Sequence, residues 1–128
     1  MQEAAPHVPN GGRIMLFSSS LTAVSSVQPG YLLYNATKGA IEQMTRVLAK
    51  DLGRRRITVN TISPGPIATD AFYVGKNDEI VDALRKVSPM NKLGEPEEIA
   101  SVVAFIASPD AGWINGQNIR INGGMTVG

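Results

Sequence analysis

The chain has no cysteine and a single histidine, His7, in 128 residues. The first absence removes disulfides, zinc knuckles and thiol nucleophiles together, and it suits a reducing, cytoplasmic setting. The second makes a histidine-centred catalytic triad or a multi-histidine metal site a poor expectation, so no metal is assigned. Charge of one sign is lacking too. Twelve basic side chains face eleven acidic ones, for a net charge of +1, which gives no reason to expect nucleic acid as a partner. The longest unbroken apolar run, Val102 to Ala107, is far shorter than a membrane span, so no membrane partner is expected either. Met1 to Gly12 shows neither the basic start nor the apolar stretch of a leader. What remains is the size and composition of one globular domain, with 43% apolar and 18% charged residues. Its 13 glycines and 8 prolines imply many tight turns between short elements.

Ala4 to Gly12 reads as a frayed helix end running into a turn. Arg13 to Phe17 is a short continuous apolar run, the mark of a strand buried on both faces. Ser18-Ser19-Ser20 ends it, and a Ser/Pro/Gly-rich loop continues to Gly30. From Leu32 to Leu52 the period becomes helical. Leu33, Thr37, Ala40, Ile41, Met44, Val47, Leu48 and Leu52 form one broad stripe, with Glu42, Arg46 and Lys50 opposite it. Gly53 stops this helix, and Arg54-Arg55-Arg56 suits the negative end of its dipole as a solvated turn. Ile57 to Ile62 is a second strand, broken by Pro64-Gly65-Pro66. Residues 67 to 94 are a partly helical excursion, with a helix from Asp78 through Val87 that Ser88-Pro89 ends. Glu95-Pro96-Glu97-Glu98 opens another helix, whose buried face is Ile99, Val102, Val103 and Ile106. Ser108-Pro109 closes it, and Gln117 to Ile121 is a third strand. Strand, helix, strand, helices, strand is the order of a parallel sheet with right-handed crossovers.

Tyr34-Asn35-Ala36-Thr37-Lys38 puts a phenol and an ammonium one helical turn apart on one side. A phenol ordinarily keeps its proton to about pH 10, and a nearby cation favours the phenolate. The pair is thus a candidate acid–base, although the same spacing also suits a surface tyrosine packed on a lysine stem. Ser20 lies 14 residues earlier, at the end of a strand, where α/β folds place ligand-binding residues. The Pro-Gly-Pro turn ends the second strand in the same way. A hydroxyl, a phenol and a lysine, with no nucleophile elbow, suit proton transfer to a carbonyl oxygen better than hydrolysis.

Together the motifs resemble the short-chain dehydrogenase/reductase family from Gly11 to Gly124. They are Gly-Gly-Arg-Ile before a strand, the Ser-Ser-Ser turn, Tyr-Asn-Ala-Thr-Lys-Gly-Ala, and Val-Asn-Thr-Ile-Ser-Pro-Gly-Pro-Ile-Ala-Thr-Asp. Gly-Glu-Pro-Glu-Glu-Ile-Ala and Ile-Asn-Gly-Gln with Ile-Asn-Gly-Gly complete the set. The 14-residue Ser-to-Tyr interval is most similar to fungal polyketide ketoreductases acting on polyhydroxynaphthalenes and versicolorins. The resemblance implies an NAD(P)-dependent oxidoreductase that moves hydride between a nicotinamide and a small carbonyl or secondary alcohol, with NADP favoured over NAD. It assigns Tyr34 as proton donor, Ser20 as the group that orients the carbonyl, and Lys38 to support the phenolate and hold the nicotinamide ribose. Pro64, Gly65, Ile67 and Thr69 would pass along the nicotinamide. Phe72, Tyr73 and Met90 fall in the family's variable substrate loop, where local packing is the simpler expectation.

The departures are as informative. No glycine-rich phosphate loop follows a first strand, because Gly11-Gly12 and Gly123-Gly124 lack both the spacing and the following helix. The residue that would choose between NAD and NADP is missing with it. Asn122-Gly123-Gly124 stands where the family usually has Asp-Gly-Gly. The expected fold class is therefore α/β, a partial Rossmann-type doubly wound parallel sheet of three strands with flanking helices. Residues 1–128 would be the carboxyl-terminal portion of one such domain, and Met1 an internal methionine of a longer protein. The full-length enzyme would be a homo-oligomer, and little or no activity is expected of the 128 residues alone. The alternative is a catalytically inactive chain that serves as a binding or assembly subunit.

Overall fold

The computed structural model describes residues 3–127. Met1 and Gln2, at the head of the segment read as having no leader, lie outside the described residues. Three parallel strands, β1 (Arg13–Phe17), β2 (Thr58–Pro64) and β3 (Asn118–Ile121), lie side by side in chain order. The long helix α1 (Leu32–Leu52) connects the first two. Between β2 and β3 come α2 (Asp70–Tyr73), α3 (Asp78–Arg85) and α4 (Pro96–Ala107). This is the expected partial doubly wound sheet.

β2 is the centre of the molecule, and its side chains alternate between two helical layers. Ile57, just before the strand, and Val59 join Ala49 and Leu52 of α1 in one apolar cluster. Ile62 points the other way, to Ile106 of α4 and to Ala111. Most buried polar side chains of β2 are bonded, as burial demands, and the Thr58 hydroxyl is the exception. Thr61 and Thr45 share a 2.7 Å hydroxyl pair. Asn60 donates to the Ile114 carbonyl at 2.8 Å and accepts from the Gln117 N–H at 3.0 Å, which fixes the approach to β3.

Four expectations need correction. β1 is half-buried, not covered on both faces, and Phe17 is 47% exposed. The cause is its place at the sheet edge, where β2 alone among the described residues pairs with it. The inner face of α1 is carried by Thr45, Ala49 and Leu52, with Ile41 and Leu48 beside them, while Leu33, Met44 and Val47 point outward. Glu42, placed on the outer face by its charge, instead turns inward to accept hydrogen bonds from Ser18 Oγ at 2.8 Å and Thr22 Oγ1 at 2.5 Å. The arginine run is also not simply solvated. Arg55 donates to Asn10 Oδ1 at 3.1 Å and to the Ala5 carbonyl at 2.9 Å, and it bonds the Val8 carbonyl as well. It thereby holds the amino-terminal turns onto the sheet end.

Candidate active site

The serine run leaves β1 with its first residue still in register, since the Ser18 N–H bonds the Ile62 carbonyl at 2.8 Å. Residues Ser20–Ala23 then form one turn of 3-10 helix capped by the Ser19 side chain. Ser20 is fully buried. Its hydroxyl donates to the Ser63 carbonyl at 2.9 Å and accepts from Asn122 Nδ2 at 3.0 Å. Ser19 accepts the Leu21 N–H at 3.2 Å, so its own hydroxyl hydrogen stays free to be donated. Sequence spacing selected Ser20, whereas the hydrogen-bond inventory leaves Ser19 as the serine with a donor to offer.

Tyr34 and Lys38 occupy the first two turns of α1, as their spacing predicts. Tyr34 is 43% exposed and packs edge-to-face on Tyr31, with ring centroids 6.3 Å apart. Lys38 Nζ lies 5.6 Å from the Tyr34 ring centroid and donates to the Phe17 carbonyl at 3.0 Å, which leaves two of its hydrogens unspent. Asn35 ties this end of the helix to the serine turn through a 3.2 Å bond to the Leu21 carbonyl.

The Pro64–Thr69 turn is braced from two sides. The Gly65 N–H bonds the Ile121 carbonyl at 2.9 Å, and a side chain at Gly65 would meet Asn122 Cβ at 2.8 Å. Only glycine permits that approach. Ile67 and Gly94 form an isolated parallel bridge, with Ala68 N–H to the Gly94 carbonyl at 2.8 Å and Gly94 N–H to the Pro66 carbonyl at 2.9 Å. Thr69 caps α2 by accepting from the Phe72 N–H at 3.3 Å, and its own hydroxyl hydrogen remains available.

These pieces wall one open cavity of about 540 Å³. Ser20, Tyr34, Pro64, Gly65, Ile67 and Thr69 all line it. Lys38 does not; it sits behind Tyr34 against the edge of β1. Of the three substrate-loop residues, Phe72 lines this cavity, while Met90 lines a smaller one of about 300 Å³ behind Pro66. Tyr73 packs edge-to-face on Phe72, with centroids 5.3 Å apart, and lines neither of these two. Sequence reasoning passed over Ser19, Leu21, Tyr31, Lys76, Leu84 and Met125, which also line the wall. Tyr31, three residues before Tyr34 on the same side, could have been found by helical period; the others are brought in by tertiary folding alone.

The family profile described as Enoyl-(Acyl carrier protein) reductase matches residues 1–126. The chain belongs to the short-chain dehydrogenase/reductase family. A short-chain type dehydrogenase/reductase of Picea abies is 46% identical over 126 residues, covering 97% of this chain and 46% of that protein. A probable tetrahydroxynaphthalene reductase of Zymoseptoria tritici is 43% identical, over 95% of this chain and 49% of its own length. Among solved structures, the angucycline C-6 ketoreductase LanV with bound NADP superposes with a TM-score of 0.89 at 40% identity, covering 99% of this chain and 48% of that one. This short-chain dehydrogenase/reductase chain thus spans about half the length of the relatives it matches. No helix among its described residues is long and apolar enough to cross a membrane.

Proposed function

We propose that the chain is the substrate- and nicotinamide-facing half of an NADP(H)-dependent carbonyl reductase acting on a small ketone, an aldehyde or the corresponding alcohol. One observation carries this reading. Three separate elements, the serine turn, the start of α1 and the Pro64–Thr69 turn, bring their polar groups to a single cavity at the carboxyl ends of the strands. The donor set fits the nicotinamide end of a dinucleotide. Lys38 has unspent hydrogens for ribose hydroxyls, and Thr69 has one for a carboxamide. The phosphates find no glycine-rich strand–turn–helix among the described residues. The tie to NADP is supported by the LanV structure, which holds it.

When bound, the nicotinamide supplies the hydride. Tyr34 gives its hydroxyl proton to the carbonyl oxygen as negative charge develops there. Lys38, close behind the ring, stabilises the phenolate left on Tyr34. Ser19 directs its free hydroxyl hydrogen at the same oxygen, while Ser20, bonded on both sides, holds the turn in place. The full-length protein assembles from like copies and works in the cytoplasm, a setting that suits the lack of cysteine in these 128 residues.

The test is a chimera that joins this chain to the amino-terminal half of the Picea abies relative, assayed by NADPH oxidation with aromatic ketones. Reduction that disappears in Tyr34→Phe, with NADPH binding kept, is the expected result. A folded chimera that binds NADPH but reduces nothing, or one indifferent to Tyr34→Phe, overturns the reading. A second reading, an inactive assembly subunit, is favoured by the unpaired edge of β1 and by Leu33 and Val47, which are 77% and 69% exposed. It predicts that the 128-residue chain binds other copies or relatives but no NADPH.

A further inference from the structure

The cavity holds a charge that proton transfer to a carbonyl does not use. Among the described residues its wall contains no aspartate or glutamate, and Lys76 is its one charged side chain. Lys76 follows α2 and is half-buried, with Nζ 4.8 Å from the Phe72 ring centroid and bonded to the Phe72 carbonyl. Asp70, Asp78 and Glu79 are close in sequence, yet the ion pairs of the described residues are Lys86–Asp82 and Lys92–Glu98 only. An ammonium holds three hydrogens, and one carbonyl satisfies one of them. In a mostly apolar wall of low polarisability, an unpaired cation attracts an anion more strongly than it would in open water.

We infer that Lys76 is the anchor for an oxyanion on the bound ligand, making this cavity selective for anionic ligands. The inference rests on the carbonyl-reductase reading and adds a ligand class to it. The oxyanion is a carboxylate or acidic phenol on the substrate, or a phosphate of the dinucleotide; both present oxygens that accept charge-assisted bonds. Ser20 and Tyr34 come from the β1–α1 side of the cavity and Lys76 from the α2–α3 side. A ligand that spans the cavity would therefore meet a proton donor on one side and a cation on the other.

The test uses the 128-residue chain and ligand-observed NMR titration at low salt and pH 7. One arm compares 1-oxoindane-5-carboxylate with its methyl ester, and the other compares nicotinamide mononucleotide with nicotinamide riboside. The anionic member of at least one pair binds about tenfold tighter, the effect of one charge-assisted bond in a partly dry site. Lys76→Met erases that preference and Lys76→Arg keeps it, each with an unchanged circular-dichroism spectrum. Preference in the first arm assigns the oxyanion to substrate, and in the second to the cofactor phosphate. Equal binding within both pairs, no binding by any of the four, or a preference that survives Lys76→Met overturns the inference. Tyr34→Phe leaves the anion preference intact, so failure of the proton-transfer reading, seen in the chimera, is told apart from failure of this one.

Discussion

Two glycine-to-alanine substitutions, identical in chemistry, should move this chain's stability in opposite directions. At Gly65 a Cβ would stand 2.8 Å from Asn122 Cβ and 2.9 Å from Asn122 Cα, whereas ordinary contact begins at 3.4 Å. One of the closest atoms is backbone, so no side-chain rotation relieves the clash. The carboxyl-terminal segment must shift by several tenths of an ångström, loosening the Gly65 N–H bond to Ile121 and the Asn122 bond to Ser20. Overpacking of this kind costs about 1–3 kcal/mol. At Gly39, in the second turn of α1, nothing lies within 4 Å of the added carbon. There alanine removes the glycine penalty in a helix and stabilises by about 0.5–1 kcal/mol. Urea unfolding followed by circular dichroism, with the slope fixed by the wild type, reads both. Gly65→Ala should unfold at lower urea and Gly39→Ala at higher urea. A neutral or stabilising Gly65→Ala would refute the close-packing argument, and with it the claim that Asn122 braces the turn beneath the cavity.

Thr45→Val should cost about 1–3 kcal/mol by stranding the buried Thr61 hydroxyl. Thr61→Val should cost less, because Thr45 retains the Ile41 carbonyl at 3.1 Å, and the double variant should recover part of the loss in a denaturation cycle. In the chimera, Ser19→Ala should lower kcat by about 100-fold or more. Ser20→Ala should chiefly lower the melting temperature, and the reverse pattern would return the orienting role to Ser20. The hydrogen bond from Lys92 holds the Glu98 carboxyl below its ordinary value of 4.5, helped by the Glu95 N–H. A lowered carboxyl stabilises the fold above pH 4.5 and loses that contribution as pH falls through its folded value. Lys92→Met should therefore shrink the gap between urea midpoints measured at pH 7 and pH 3.

The bounds of α1 and α4 and the parallel order of the strands were legible because Gly53, Pro96 and Pro109 punctuate the chain and the apolar runs between them are distinct. The inner face of α1 was not. Its sequence carries two apolar stripes, and the one that meets the sheet is built partly from the small residues Thr45 and Ala49, which a hydrophobicity count undervalues. Glu42 was misread for a related reason. Its partners lie 24 and 20 residues away, so only tertiary structure turns a surface-type carboxylate into an inward clamp. Around the cavity, Pro64, Gly65, Ile67 and Thr69 entered only through the family resemblance, while the Tyr34–Lys38 pairing was readable from helical spacing. Three consecutive serines were not, since the choice between Ser19 and Ser20 depends on where each hydroxyl hydrogen goes. Lys76 carried no local signal, and its meaning comes from the uncharged wall around it.

The placement of β2 between two parallel neighbours also governs how this chain must fold. No strand pairing among the described residues is local: Arg13 pairs with Thr58, 45 residues on, and Thr61 with Asn118, 57 residues on. Every strand pair must therefore close a long loop before it gains any bond, and parallel pairings of this separation form slowly. α1 can wind first, because its bonds are within its own turns. Until β2 docks on it, the chain exposes β-branched Ile57, Val59 and Ile62 together. The strand that makes the folded molecule most secure is thus the segment most prone to capture by another chain during folding.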